Sequence, residues 1–372
     1  MSSTLSPLST NRGVSHTKCY TSEYTFIYAD KGLDGSNMSE IRQDPTTKEW
    51  VIMAGERSKR PDDFVRQQSK PELPAFSPSC PFCPGNEAMT PPESFAFRDK
   101  GNKKWLIRVF PNRFPALTPE GSTKRREEDG FFLDMDGIGV HEVIVETPRH
   151  NQPLALTNDR GMADILLTYQ KRYIAFSEMP FIKLIIIFKN HGPSAGTSLD
   201  HPHSQLVATP VVPKHTRIRH EIAVQYYDDT GRSLYSDLVA HELEIGKRVV
   251  IDTEKFVVFH PFASHSPFET WIVPRTYQAG FGNVSPEDLS SLAHVLRITL
   301  LKLYRGLNNP DFNLIIDTAP IGDENKDYYL WHIRIVPRLT EVAGFEIGTG
   351  IYINTALPEE TAKFMRELKA EH

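Results

Sequence analysis

Cysteine is scarce: Cys19, Cys80 and Cys83 are the 3 thiols of a 372-residue chain, an odd and sparse set that cannot frame a disulfide-held fold. That points to a reducing compartment. The polar N-terminal stretch MSSTLSPLSTNRGVSH lacks the apolar centre of a signal peptide, so the expected location is cytoplasmic. Long hydrophobic runs are missing as well. The densest, Leu184-Ile-Ile-Ile-Phe188, falls far short of the roughly 18 residues of a membrane span and reads as a buried strand. An excess of positive charge is also absent. Lys and Arg total 42 against 47 Asp and Glu, a net charge of -5, which argues against a protein that grips nucleic-acid backbone. Disorder is excluded by composition, since 39% of residues are hydrophobic and 10% aromatic. A globular protein without membrane or nucleic-acid partners is expected.

The length exceeds the usual prior of about 100–200 residues per domain, so two domains or one duplicated unit are expected. Residues 1–40 are rich in Ser and Thr and read as a flexible tail. A turn at Asp44-Pro45 leads into a short strand at Trp50–Ile52, and a Pro-rich loop follows over 70–84. The alternating stretch His141–Glu146 predicts a strand. A helix should follow it, capped by Asn158 or Asp159, with Met162, Ile165, Leu166, Tyr169 and Tyr173 on one face. Then come a strand over 183–189, a Gly-rich turn over 191–197 and an extended segment over 201–210.

The same order returns later. Thr270–Arg275 resembles Val145–Arg149, and a second helix opens with Ser285 as cap and Pro286 at its first position. Leu289, Leu292, Leu296, Leu300 and Leu303 form its apolar face, Gly306 ends it, and strands over 312–316 and 331–336 follow. Pro148 and Pro274 are 126 residues apart, and Val207 and Val336 are 129 apart. A nearly constant offset predicts an internal duplication. The charged, helical stretch over 216–250 would link the halves, with the boundary near Lys214.

Three local patterns carry chemistry. In Asp200-His-Pro-His-Ser-Gln205, two imidazoles two residues apart on an extended chain share a face and can serve one site in different roles. The preceding turn, Gly192–Ser198, offers backbone N–H groups and hydroxyls of the kind that cradle phosphate oxygens. A pair of loop histidines is the plain alternative. In Ser79-Cys-Pro-Phe-Cys-Pro-Gly85, two thiolates can take two corners of a zinc tetrahedron, with His150, His201 and His203 as candidate partners. A redox pair and two unliganded thiols are the competing readings, and the flanking prolines sit poorly with the helix start that a redox pair prefers. Arg57-Ser-Lys-Arg60 could clamp phosphate through bidentate contacts, or form a solvated loop.

Taken together, these residues resemble the galactose-1-phosphate uridylyltransferase family of the histidine-triad superfamily, from about Arg42 to the C-terminus. The motifs carrying the likeness are Asp44-Pro-x4-Trp50, Arg57-x-x-Arg60-Pro, Cys80-Pro-Phe-Cys83, Phe110-Pro-Asn-Arg-Phe-Pro-Ala116, Glu146-Thr-Pro-Arg-His150, Phe188-Lys-Asn190, His201-Pro-His-Ser-Gln205, Pro267-Phe-Glu269 and Gly344-Phe-Glu-Ile-Gly348. The resemblance implies an α+β fold of two duplicated histidine-triad-like domains, 41–214 and 215–372, each an antiparallel half-barrel sheet with packed helices. It implies a nucleotidyltransferase in which His203 attacks the α-phosphorus of a nucleotide sugar. Gln205 would donate to the phosphoryl oxygens, and Asn190 and Ser198 would contact phosphate or nucleotide. Arg57 and Arg60 would bind phosphate, Asn112 would sit at the nucleotide, and Phe345 would lie in the sugar-phosphate loop. Cys80, Cys83, His150 and His201 match the family's zinc ligands, a structural site because no ligand position remains for substrate.

Two departures bear on the substrate. The family's second His-x-His, which helps bind iron, is replaced by Leu330-Trp-His332, so that second metal site is expected to be absent. Its sugar-phosphate loop carries a Lys where this chain has Gly344, and the continuation Gly344-Phe-Glu-Ile-Gly-Thr-Gly350 resembles a plant branch that acts as ADP-glucose phosphorylase. The leading expectation is transfer between UDP-glucose and galactose 1-phosphate. The alternative is adenylyl transfer from ADP-glucose to inorganic phosphate, and a more remote one is a non-catalytic zinc-stabilised nucleotide sensor. Family members are commonly dimers, so the resemblance admits a homodimer, while no stretch of the sequence itself fixes the assembly.

Overall fold

The computed structural model describes residues 38–55, 59–65, 70–101 and 103–369. The expected tail therefore lies outside the described residues up to position 37, as does Cys19. The described residues open with a hairpin of β1 (Glu40–Gln43) and β2 (Trp50–Met53) turned at Asp44, whose carboxylate accepts from the Thr46 N–H at 2.7 Å. Strands β3 (Phe95–Arg98) and β4 (Trp105–Pro111), the hairpin β5 (Arg126–Glu128) and β6 (Phe132–Asp134), and β7 (Val140–Val145) follow. Helix α1 (Asp159–Ser177) starts where Asn158 Oδ1 accepts from the Gly161 N–H at 2.8 Å and buries the predicted face of Met162, Ile165, Leu166, Tyr169 and Tyr173. Strands β8 (Leu184–His191) and β9 (His203–Thr209) complete the first half.

Lys214 begins α2 (Lys214–Thr230), followed by α3 (Leu234–Ile245). Then come β10 (Val249–Asp252), β11 (Phe256–Phe259) and β12 (Thr270–Pro274). Helix α4 (Pro286–Gly306) is capped as the sequence suggests, Ser285 Oγ accepting from the Asp288 N–H at 3.0 Å. The chain ends with β13 (Phe312–Asp317), β14 (His332–Pro337), α5 (Gly344–Thr349), β15 (Tyr352–Asn354) and α6 (Pro358–Glu367). The Gly344–Gly350 stretch, expected as a loop, is therefore a short helix, closed by Gly350 in the left-handed region at φ 74. Strand β15 pairs in parallel with β2 and so closes a three-stranded sheet from both ends of the described chain.

Among the described residues, ten strands form one antiparallel sheet in the order β10-β11-β12-β14-β13-β8-β9-β7-β4-β3. The order mirrors itself about the β13–β8 pair: β7-α1-β8-β9 on one side corresponds to β12-α4-β13-β14 on the other. The two stretches meet edge to edge through the Leu314–Lys189 and Ile315–Phe188 register.

Alternation along each strand then divides the residues between two faces. Ile144, Ile185, Ile187, Leu206, Ala208, Leu314, Ile316, Ile333 and Ile335 turn to one face and share a core with the apolar stripes of α1 and α4. On the other face the halves diverge. Over β11, β12 and β14 the surface is covered by α2 and α3, with Ala223, Tyr235 and Val239 packed on Val257, Trp271 and Val273. Over β7 and β9 it carries two cavities. Among the described residues no helix is long and apolar enough to cross a membrane.

Candidate active site

His203 opens β9 with its side chain buried at 6% exposure, and it lines both cavities. Its Nδ1 donates to the His201 carbonyl at 2.8 Å, which places the ring proton there and leaves Nε2 as a lone-pair acceptor. The Phe82 ring stands edge-on to it at 5.2 Å. Burial, reinforced by the Lys189 charge, lowers the imidazole pKa and favours the neutral ring.

Beneath His203, on the helix-covered face, lies a closed polar network. Lys189 Nζ pairs with Glu146 Oε2 at 2.7 Å and donates to the His203 carbonyl at 3.0 Å. Tyr169 Oη donates to Glu146 Oε1 at 2.8 Å, and Ser204 Oγ donates to the same oxygen. Burial alone would raise the Glu146 carboxyl, but the Lys189 ammonium outweighs it and holds the group below its usual range.

Cys80, Cys83, His150 and His201 converge from three segments, all buried, with their ligand atoms within 4.8 Å of one another. Cys80 Sγ and Cys83 Sγ lie 3.7 and 3.6 Å from His201 Nδ1, and Cys83 Sγ lies 3.6 Å from His150 Nδ1. Zinc–sulfur bonds of about 2.3 Å and zinc–nitrogen bonds of about 2.0–2.1 Å in a tetrahedron put sulfur and nitrogen about 3.6 Å apart. The donor set fits zinc. His201 Nε2 donates to the Thr147 carbonyl at 2.8 Å, turning Nδ1 toward the sulfurs, as an outer-shell partner of a metal-bound imidazole does. The Ser77 N–H points at Cys83 Sγ at 3.3 Å, and Asn86 Nδ2 donates to the Cys80 carbonyl at 2.7 Å, which fixes the Cys80–Cys83 turn. Burial pushes the Cys80 thiol up, a cost that a bound dication reverses.

One cavity beside His203, about 450 Å³, is walled by Phe82, Phe110, Phe114 and Met89, with Asn112 and Ser198 as polar groups. The other, about 390 Å³, holds Asn190, His191, Thr197 and Lys70. Asn190 Oδ1 accepts from Asn313 Nδ2 at 2.9 Å, so its amide N–H₂ end remains for a ligand. Gln205 Oε1 accepts from His141 Nε2 at 2.7 Å.

The turn expected to cradle phosphate is spent otherwise. The Ser194 N–H donates to Asp311 Oδ2 at 2.9 Å, and the amides of Ala195, Gly196 and Thr197 bond back within the turn. Gly192, at φ +87, could not carry a Cβ, which would fall 2.2 Å from Asp311 Oδ1. Asp311, paired with Lys70 at 2.9 Å, is held at a pKa of about 2. Burial would raise it, and the Lys70 and Ser194 contacts outweigh that effect.

Residues 31–213 match the family described as "Galactose-1-phosphate uridyl transferase, N-terminal domain", and residues 139–371 match one described as a domain of unknown function, DUF4921. The chain is 38% identical over 346 residues to ADP-glucose phosphorylase of Arabidopsis thaliana, covering 91% of this chain and 96% of that one. This chain belongs to the galactose-1-phosphate uridylyltransferase family. Another relative, the galactose-1-phosphate uridylyltransferase of Thermotoga maritima, is 29% identical over 343 residues, covering 90% of this chain and all of its own length. The crystal structure of the Arabidopsis ADP-glucose phosphorylase with bound ADP-glucose superposes with a TM-score of 0.75 at 34% identity, covering 89% of this chain and 100% of that one. The fold is that of this family, and the chain is a nucleotidyltransferase of it.

Within this family frame, Cys80, Cys83, His150, His201, His203, Gln205, Asn112, Asn190 and Ser198 gather at one place, at the metal cluster or along the two cavities. Two other expected site residues stand apart. Arg60 is exposed at the start of a short turn where its N–H meets Asp63, and Phe345 is 45% exposed on α5, so neither lines a cavity at His203 of its own chain. Arg57 lies outside the described residues.

Lys189 and Glu146 fell inside quoted motifs without a role, although a single charge in the run LIIIFKN was itself a signal. His141, Asp311 and Asn313 gave none. The position matching His203 by the 129-residue offset is His332, fully buried, stacked on Trp271 at 4.5 Å and donating from Nδ1 to the Leu330 carbonyl at 3.1 Å. Its Nε2 faces Asp317, which two guanidiniums, Arg219 and Arg334, already share.

Proposed function

We propose that this chain is a nucleotide-sugar phosphorylase of the ADP-glucose type, passing the adenylyl group through His203 to inorganic phosphate. The observation that carries the choice is the 38% identity with an ADP-glucose phosphorylase against 29% with a uridylyltransferase over similar lengths. It reverses the order expected from the motifs, where UDP-glucose and galactose 1-phosphate led. Gly344, standing where uridylyltransferases carry Lys, points the same way.

Nε2 of His203 attacks the α-phosphorus of ADP-glucose, a bond from nitrogen to phosphorus forms, and the bridging bond breaks to release glucose 1-phosphate. An oxygen of inorganic phosphate then attacks the same phosphorus, the nitrogen–phosphorus bond breaks, and ADP leaves with the imidazole restored. The Nδ1–H bond to the His201 carbonyl orients the ring and spreads the positive charge that builds during attack. Gln205, Asn190 and Ser198 donate to the phosphoryl oxygens, and the aromatic cavity takes the nucleoside. Cys80, Cys83, His150 and His201 hold zinc, which fixes the chain two residues before the nucleophile. In the same reading, 41–214 and 215–372 are copies of one histidine-triad-like unit, and a second subunit brings its Arg60 and Phe345 segments to the site.

Separate incubations with α-labelled ADP-glucose and UDP-glucose test the donor, and discharge of the adduct with phosphate or galactose 1-phosphate tests the acceptor. An acid-labile label from ADP-glucose, released as ADP by phosphate and lost in His203→Ala, is the expected result. Labelling by UDP-glucose with discharge by galactose 1-phosphate would restore the uridylyltransferase reading. No labelling by either donor would leave a nucleotide sensor.

A further inference from the structure

His141 stands on β7 next to the strand that carries Gln205, in register with Val207, while Val143 lies opposite Gln205. Its Nδ1 lies 3.1 Å from the Ala116 backbone nitrogen. A backbone N–H can only donate, so Nδ1 accepts and the ring proton sits on Nε2. That Nε2 is 2.7 Å from Gln205 Oε1. The atom of Gln205 facing a ring N–H must be its carbonyl oxygen, so the N–H₂ end is left for the His203 cavity, which Gln205 also lines.

The same histidine reaches the nucleotide wall. The Asn112 backbone N–H donates to the His141 carbonyl at 2.8 Å, while its Nδ2 lies 3.1 Å from the protonated Nε2, donor against donor, so that approach is a packing contact and not a hydrogen bond. Asn112 Oδ1 in turn accepts from the Phe114 N–H at 2.9 Å.

We propose that His141 is a positioning residue: it locks the Gln205 amide so that an N–H, and not the carbonyl, meets the transferred phosphoryl group. A free glutamine amide turns over easily, and the wrong face would set a carbonyl oxygen against phosphoryl oxygens. The fixed backbone donor at Ala116 sets the ring tautomer, and the tautomer sets the amide. This role rests on the proposed His203 chemistry.

The test is a double-substitution cycle on the full-length chain, reading the single-turnover rate of label transfer from ADP-glucose to protein. His141→Ala should slow transfer by about 10- to 100-fold, below the full loss of an oxyanion donor, with little change in donor affinity. In a Gln205→Ala background the same change should have no further effect, because the group it positions is gone. His141→Gln, which offers both an acceptor and a donor, should recover part of the rate, and it keeps the test usable if His141→Ala does not fold. Multiplicative losses in the double variant, or a His141→Ala rate within twofold of wild type, would overturn the role. Absence of labelling in the wild type would sink the His203 reading and this inference together, whereas a multiplicative cycle with normal wild-type labelling sinks this inference alone.

Discussion

Lys189 and Glu146 meet at 2.7 Å with both side chains 1% exposed, and the same ammonium holds the His203 carbonyl. His203 is thus braced from the far face of the sheet by a charge pair that no solvent reaches. Removing one member strands the other charge in the core. Lys189→Met and Glu146→Gln should each lower the unfolding free energy by about 3–5 kcal/mol, and the double variant by less than their sum. Denaturant titrations decide it. Single variants within about 1 kcal/mol of wild type would show that the pair is not the brace described, since that is the scale of a solvent-exposed pair.

The cluster at Cys80 predicts a stoichiometric metal. Purified protein should carry about one zinc per chain, four protein donors being a closed structural set. Cys83→Ser should lose the ion and lower the melting temperature, because those donors draw the Cys80 turn, the His150 segment and the start of β9 to one point. Chelation of the wild type should do the same, and added zinc should reverse it. Metal analysis and thermal unfolding read this independently of activity. A Cys83→Ser protein with full zinc content would contradict the assignment.

Phe114 sits at the mouth of the aromatic cavity with 81% of its surface exposed. Nothing in the core depends on it, so Phe114→Ala should leave stability unchanged. A nucleobase stacked on the ring would lose about 1–3 kcal/mol of contact. ADP binding to the His203→Ala protein, followed by calorimetry, should weaken by about tenfold or more. Unchanged affinity would place the base elsewhere.

The legible parts of this molecule are those where one residue type meets one physical demand. Ser285 and Asn158 cap because their oxygens satisfy orphan amides, and the leucine stripe of α4 packs because its period is helical. The meeting of Cys80, Cys83, His150 and His201 in one buried cluster was also legible, since Cys-x-x-Cys and His-x-His are spacings that set such side chains on one face or turn. What stayed hidden depends on long-range pairing. Asp311 and Asn313 brace the first half only because β13 pairs with β8, and His141 matters only because β7 lies beside β9. The turn over 192–197 misled because its composition suits a ligand-binding nest, while its amides were already claimed by Asp311 and by the turn itself.

Buried histidines make this fold sensitive to acid. His260 is 1% exposed, donates or accepts only at Nδ1 to Thr361 Oγ1 at 2.7 Å, and faces the Phe268 ring at 6.1 Å. Burial, with a smaller push from Arg366, lowers its pKa from 6.5 to about 3. The folded state therefore binds fewer protons than the unfolded state between these values, so stability is full above about pH 6.5 and falls as pH drops toward 3. The slope from one such group approaches about 1.4 kcal/mol per pH unit. His332 and His191, each lowered to about 4 chiefly by burial, act in the same direction. Asp311, held at about 2, keeps its full contribution until pH falls below the ordinary carboxylate range, so its loss begins lower. His260→Gln removes one proton acceptor while keeping a polar partner for Thr361. It should be less stable than wild type by about 1–2 kcal/mol at pH 7.5, from lost packing and hydrogen-bond geometry. By pH 5 the gap should close or reverse, since the wild type alone will have lost about 2 kcal/mol at this position. Denaturant unfolding of both proteins at pH 7.5, 6 and 5 measures the difference directly, and a gap that stays constant over that range would show that His260 is not protonated preferentially on unfolding.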